Sequence, residues 1–558
     1  MRKLAAICAC GLFASCSMAR VSPSRGGEYD LVLANGRVVD GTGAPWFRGD
    51  VGIRGDRIAA VGDLSVANAT RRIDVHGRMV APGFIDLLGQ SELNLLIDNR
   101  VESKIRQGIT TEITGEGGSA APLNDEMLAE LKPFLDRYKL RADWTDLAGY
   151  FRRLSDIGST INLGTFVGAA SIRALVLGLG DVQPNPEQLA AMERATARAM
   201  EQGALGVSSA LIYPPGSYAR TPELIALARV ASRYGGVYAT HMRDEADRVL
   251  EALDEAIAIG REAGIPVEVW HLKVAGRNNW GRMNALVTRI ERARSEGVDI
   301  SANMYPYEAA RNGLVANIPE WAQAGGTDAM LARFHDPVQR ARIKSGLWHG
   351  GLGVEVPEGI LLVSALNPAL KKYMGKRLSE AARDMGKPPE EALLDLVEAD
   401  RGNVAVVRFV MNEEDVQLGL RQPWVALGVD EPGQAVDGPF AGELVHPRGF
   451  GAAPRLLGRY ARDLRLFPVE EAVRKMTSLP ARRLGLWDRG VLRPGMAADL
   501  TVFDPATVRD LATYEQPLRY AEGIEYVVVN GKVVLDAGRL TSERPGRPLT
   551  RLEGLAPR

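Results

Sequence analysis

Val237-Tyr238-Ala239-Thr240-His241 and, one helical stretch later, Val267-Glu268-Val269-Trp270-His271 are the segments on which the fold turns. Each is a short apolar run that ends in a histidine just before a loop, and Asp244 to Gly264 between them has helical periodicity. The same alternation extends N-terminally. Thr160 to Val167 and Val207 to Ala210 are strand-like, while Pro186 to Gln202 and Thr221 to Arg233 are helical. Repeated βα units predict a parallel sheet. No phosphate-binding glycine loop follows an early strand, and a chain of 558 residues favours an α/β fold of the closed (β/α)8 TIM-barrel type. From about residue 312 to 398 the periodicity becomes irregular and mostly helical, which predicts an insertion over the barrel mouth.

The flanks read differently. Tyr29 to Val61 and Ala498 to Leu535 are short strands punctuated by Asn35-Gly36, Gly55-Asp56 and Asn530-Gly531, which are hairpin signals. Two β segments at opposite ends of a chain can join into one small β-sandwich. The expected division is therefore 25–82 and 485–558 for that sandwich and 83–484 for the barrel. Residues 1–24 form an export signal. Met1-Arg2-Lys3 is basic, Leu4 to Ala14 is apolar but too short to span a bilayer, and Phe13-Ala14-Ser15-Cys16 has the form of a lipobox. This predicts an exported, periplasmic chain with a lipid anchor on Cys16 in the outer membrane; simple cleavage near Ala19 is the alternative.

Composition narrows the chemistry. Lys and Arg total 68 against 69 Asp and Glu, which gives no electrostatic reason to expect nucleic acid as a partner. All 3 cysteines, Cys8, Cys10 and Cys16, lie at the N-terminus, so the body of the chain holds no disulfide and no cysteine nucleophile. With 6 histidines in all, a metal site must combine a few of them with carboxylates. His241 and His271 end neighbouring strands, where side chains of a parallel barrel meet around substrate. A catalytic zinc needs a third ligand. Glu116, in Gly115-Glu116-Gly117-Gly118 after an early strand, is a candidate, the alternative being a solvent-exposed loop glutamate. Asp430, after Val425-Ala426-Leu427, suits a general base. Arg243 and Glu245 follow His241 at alternating positions, and Lys273 bears the same relation to His271. Arg243 is counted among the substrate-binding candidates, with an inner ion pair to Glu245 as the other reading.

Several motifs together carry a family resemblance. They are Val80-Ala81-Pro82-Gly83-Phe84-Ile85-Asp86, Tyr238 to Arg243, His271-Leu272-Lys273, Tyr305-Pro306-Tyr307, His446-Pro447-Arg448 and Gly495-Met496-Ala497-Ala498-Asp499-Leu500. From about Tyr29 to Leu549 the chain resembles the D-aminoacylase (N-acyl-D-amino-acid deacylase) group of the amidohydrolase superfamily. The resemblance implies a metal-dependent hydrolase that cleaves the linear amide of a small N-acyl amino acid or dipeptide by metal-bound hydroxide. It also implies that Lys273, Tyr305 and Arg448 hold the substrate carboxylate.

The chain departs from the family pattern at three places, one of which is Gly168-Ala169-Ala170-Ser171, where a family histidine is lost. Leu88-Gly89-Gln90 stands where the family carries a His-x-His pair, and Glu116 is the substitute for a cysteine ligand. The favoured reading is one zinc on Glu116, His241 and His271 beside Asp430. A catalytically inactive exported binding protein and a cyclic-amide hydrolase are the alternatives.

Overall fold

The computed structural model describes residues 28–350, 353–354 and 356–551. The predicted export signal and Cys16 lie outside the described residues. Eight parallel strands form the ring: β1 (Phe84–Asp86), β2 (Ile109–Thr114), β3 (Asn162–Thr165, continued by Val167–Gly168), β4 (Gly206–Ala210), β5 (Val237–His241), β6 (Val267–Val269), β7 (Ile300–Met304) and β8 (Val425–Leu427). Pairing runs β1–β2–β3 and then from Val167–Gly168 through β4, β5, β6 and β7 to β8. The ring closes where the Leu87 amide donates to the Leu427 carbonyl at 3.2 Å. This is the (β/α)8 barrel expected from the alternation. The strands are buried on both faces because helices cover the outside, so β5, β6 and β8 do not alternate apolar with exposed polar residues, and the polar residues of β2 and β7, such as Glu112 and Asn303, are buried inside.

The two ends of the chain join in one nine-stranded sheet. Met79–Pro82 pairs antiparallel with Leu500–Phe503 and thereby connects the N-terminal strands to the C-terminal ones. Asn530 and Gly531 both have positive φ, as a tight hairpin needs. A Cβ on Gly531 would come 1.9 Å from the Gly55 carbonyl oxygen, so the two hairpin turns, one from each end of the chain, touch backbone to backbone. Asn35-Gly36 is not a hairpin. The strand Tyr29–Val38 runs straight through it with a bulge between Leu33 and Gly36, because the Asn35 amide is drawn to the Asp50 carboxylate.

Two further expectations change. The helix predicted from Asp244 begins at Val249. The Asp244 carboxylate accepts from the Ala246 and Arg248 amides, which holds this turn as a loop. The insertion is not mostly helical throughout. Ala310–Gly313, Ala405–Arg408 and Ile360–Ser364 form an antiparallel three-stranded sheet that extends past both expected boundaries. Leu314, Phe334, Ile360, Leu362 and Leu393 give it a core of its own.

At the base of the barrel, Asp499 accepts from Asn162, Arg489 and the Asn530 amide and so ties β3 to the terminal sheet. Higher up, Glu268 on β6 is buried and accepts from Ser301 and from Asn303 at 3.1 Å. Burial outweighs Arg483 and these hydrogen bonds and lifts its carboxyl to about 7. Below the ordinary glutamate range folded and unfolded chains both hold this proton, whereas between that range and pH 7 only the folded chain keeps it. Stability should therefore fall across that window, by about 3 kcal/mol in total from this group. Glu268→Gln should flatten that part of the profile, as read from urea midpoints between pH 5 and 8; a parallel shift of both proteins would refute the assignment.

Candidate metal and hydrolase centre

The loops that follow the strands converge on Glu116. Gly115 and Gly117 flank it with φ of +94° and +67°, and a Cβ on Gly117 would meet the Ala210 Cβ at 2.4 Å. Ser208 on β4 donates to the Gly115 carbonyl and accepts from the Gly117 amide, clamping the loop against the barrel. The Glu116 Oε1 atom then lies 2.9 Å from His241 Nδ1 and 2.8 Å from His271 Nε2. The imidazoles stand edge to face, with centroids 4.4 Å apart. One ligand atom from each of the three residues falls within 4.8 Å of the others. His271 is held by its own backbone, whose amide donates to Asn303 Oδ1 at φ +36°.

Behind the histidines lies Glu245. Its Oε1 is 2.5 Å from Lys273 Nζ and 3.2 Å from His271 Nδ1, and its Oε2 is 3.5 Å from His241 Nε2. Burial opposes the ionised form, but His241, Lys273 and His271 hold this carboxyl well below the usual range. Glu116 is likewise held far down by both histidines against its burial. Burial and Lys273 press His271 downward, but Glu245 and Glu116 outweigh them and lift it to about 9. Two ionised carboxylates therefore enclose two imidazoles in a pocket that favours positive charge. Glu245 Oε2 faces the outer nitrogen of His241 across 3.5 Å, and His241 Nδ1 is the nitrogen turned toward Glu116. Two imidazoles and one carboxylate sharing a point are a donor set that fits a divalent transition metal such as zinc.

Asp430 approaches from β8. Its backbone has φ +56°, and its amide donates to the Leu88 carbonyl at 2.6 Å. Arg448 Nη2 pairs with Asp430 Oδ2 at 2.8 Å, and Gln90 Nε2 is 3.2 Å from Oδ1 and 2.5 Å from Glu116 Oε2. The buried pair Lys104–Asp86, at 2.6 Å, fixes this corner. Asp86 Oδ1 accepts the Leu88 and Val429 amides, setting Gln90 and Asp430 side by side. Arg448 also lies 4.3 Å above the Tyr305 ring. Arg448 Nη1 and the Tyr305 hydroxyl are buried side by side, and among the described residues neither reaches a hydrogen-bond partner of ordinary geometry.

The profile of the Amidohydrolase family matches residues 399–535. The chain is 39% identical over 537 residues to a D-aminoacylase of Alcaligenes xylosoxydans xylosoxydans, covering 95% of this chain and 99% of that one. This chain belongs to the D-aminoacylase group of amidohydrolases. It is similar to a second protein of that organism, an N-acyl-D-glutamate deacylase, at 38% identity, with 95% of this chain and 98% of the other covered. Among solved structures, N-acyl-D-glutamate deacylase from Bordetella bronchiseptica superposes with a TM-score of 0.79 at 33% identity, with 94% and 99% of the two chains covered. That structure contains zinc and a phosphonate inhibitor that mimics the tetrahedral intermediate of its reaction. Like others of the D-aminoacylase group, this chain is a hydrolase acting on carbon–nitrogen bonds other than peptide bonds.

Glu116, His241, His271, Asp430, Arg448 and Tyr305 thus come together, and two other candidates are reassigned. Arg243 does not reach the cluster. Its guanidinium is taken up by Glu255 and by the Ser217 and Ala219 carbonyls. Lys273 is buried, and its ammonium is engaged by Glu245 and His271 rather than turned to substrate. Glu245 pairs with Lys273, not with Arg243. His446, buried, donates from Nε2 to the Ala309 carbonyl and accepts the Arg448 amide, so it braces Arg448. The sequence marks Gln90 only as standing in the place of a family histidine, and Ser208 carries no signal of a site role. Leu88, fully buried, packs in the barrel core.

Proposed function

We propose that this chain removes the acyl group from N-acyl-D-amino acids, using one zinc ion held by Glu116, His241 and His271. The observation that carries the reading is the Glu116 oxygen shared by two histidine nitrogens beside the Asp430–Arg448 pair. The D configuration rests on the names of the relatives. Zinc in such a site polarises an amide carbonyl and acidifies water. Asp430 Oδ1 takes the proton of the attacking water and passes it to the departing nitrogen. Arg448 Nη1 and the Tyr305 hydroxyl bind the substrate carboxylate, an anion that supplies the partner both donors lack. Gln90 supports a single ion. Its Nε2 lies between Glu116 and Asp430, so an amide donor stands where a second cation would need both carboxylates.

The purified protein should bind about one zinc per chain even after incubation with excess metal, and it should hydrolyse N-acyl-D- in preference to N-acyl-L-amino acids. Glu116→Ala should lose most of the zinc. Two zinc ions per chain would refute the role of Gln90, and a well-folded protein without affinity for metal would refute the whole reading.

A further inference from the structure

A cavity of about 490 Å³ opens directly beside Glu116 and Gln90. One wall is the helix α1 (Asp125–Tyr138), capped by the Asn124 side chain. Its residues Met127, Leu131, Phe134 and Leu135 follow one another at i, i+4, i+7 and i+8, the spacing of a single apolar face. Such a face ordinarily packs into a core. Here none of the helix's 14 residues is fully buried: Met127 and Leu131 pack partly against the core, and all four apolar side chains also line the cavity. Ala174 and Leu179 continue the lining from across the space. A second cavity of about 330 Å³ shares Glu130, Leu179, Pro214 and Pro215 with the first and carries the path outward between α1 and the inserted unit. The carboxylate at this junction, Glu130, is engaged by the Thr327 amide and hydroxyl.

The two ends of a substrate can be told apart by what lines the space. The unpartnered donors Arg448 Nη1 and Tyr305 hydroxyl, which bind the carboxylate in the reading above, do not line this cavity, whereas Glu116 does. With the carboxylate held outside the cavity, the acyl group and the amino-acid side chain are the two groups left to enter it, and the acyl group is the one attached at the scissile carbonyl beside Glu116. Resting on that reading, we propose that the cavity is an acyl-chain pocket and that the preferred substrates carry a long aliphatic acyl group. Hydrolysis breaks the bond between carbonyl carbon and nitrogen. Water gives its oxygen to the acyl carbon and a proton to the nitrogen, releasing a fatty acid and an amino acid.

A series of N-acetyl-, N-hexanoyl- and N-dodecanoyl-D-leucine tests this with the zinc-loaded enzyme. kcat/KM should rise about fourfold per methylene until the cavity is filled, and Leu131→Glu should reduce the dodecanoyl-to-acetyl ratio. A flat series, or a gain that follows the amino-acid side chain instead of the acyl length, overturns the proposal. Calorimetry of the same compounds with the zinc-loaded Asp430→Asn protein separates this proposal from the activity. If no compound is turned over by the enzyme, tighter binding of the dodecanoyl compound than of the acetyl one still supports the pocket. Equal or absent binding overturns it.

Discussion

Asp430→Asn is expected to lower kcat by about 10² to 10⁴-fold while leaving the zinc content unchanged. The substitution is nearly isosteric, and asparagine tolerates the left-handed backbone found at this position, φ +56°. The carbonyl oxygen of the new side chain can still face Arg448 Nη2 across the 2.8 Å contact, so the guanidinium stays where it is. What is lost is the ability to take up a proton and release it again. KM should move far less than kcat. Steady-state kinetics together with metal analysis checks all three points. Turnover within tenfold of the wild type would mean that another group moves the proton.

A second large effect is expected at Glu245, a residue that touches neither metal nor substrate in this reading. Glu245→Ala should weaken zinc binding by about 10 to 100-fold, since both imidazoles lose the carboxylate that faces their outer nitrogens. It should also destabilise the fold by about 3 to 5 kcal/mol, because the buried Lys273 ammonium is left without its partner. The double variant Glu245→Gln with Lys273→Met separates the two roles. Removing the orphaned charge should restore the melting temperature, while zinc competition against a chelator should stay impaired. If zinc affinity returns together with the fold, Glu245 is only a structural counter-ion.

The barrel was legible because its strands and helices differ in period and because burial on both faces leaves strands such as Val237–His241 and Val425–Leu427 largely apolar. Thr221–Arg233 and Val237–His241 have the same bounds in the structure as in the sequence reading. His241, His271 and Asp430 stood out because an ionisable residue at the end of such a run is unusual. Features that depend on a distant partner were not legible. Asn35-Gly36 has the composition of a turn, but Asp50 decides that it bulges. Arg243 and Glu245 share a local face, yet their charges pair with Glu255 and Lys273, and no local pattern could indicate that exchange. Gln90 looks inert in sequence. Its weight comes from two carboxylates that reach it from the strands on either side of its own, β2 and β8.

The antiparallel pairing of Met79–Pro82 with Leu500–Phe503 has a consequence for biosynthesis. As the polypeptide emerges from the ribosome, the early strands expose an open edge rich in unsatisfied amide and carbonyl groups, and its partner is translated only after the entire barrel. The first strands made are thus among the last to be completed. A chain cut short before residue 500 would leave that edge bare, and would be prone to stick to its neighbours however well its barrel had formed.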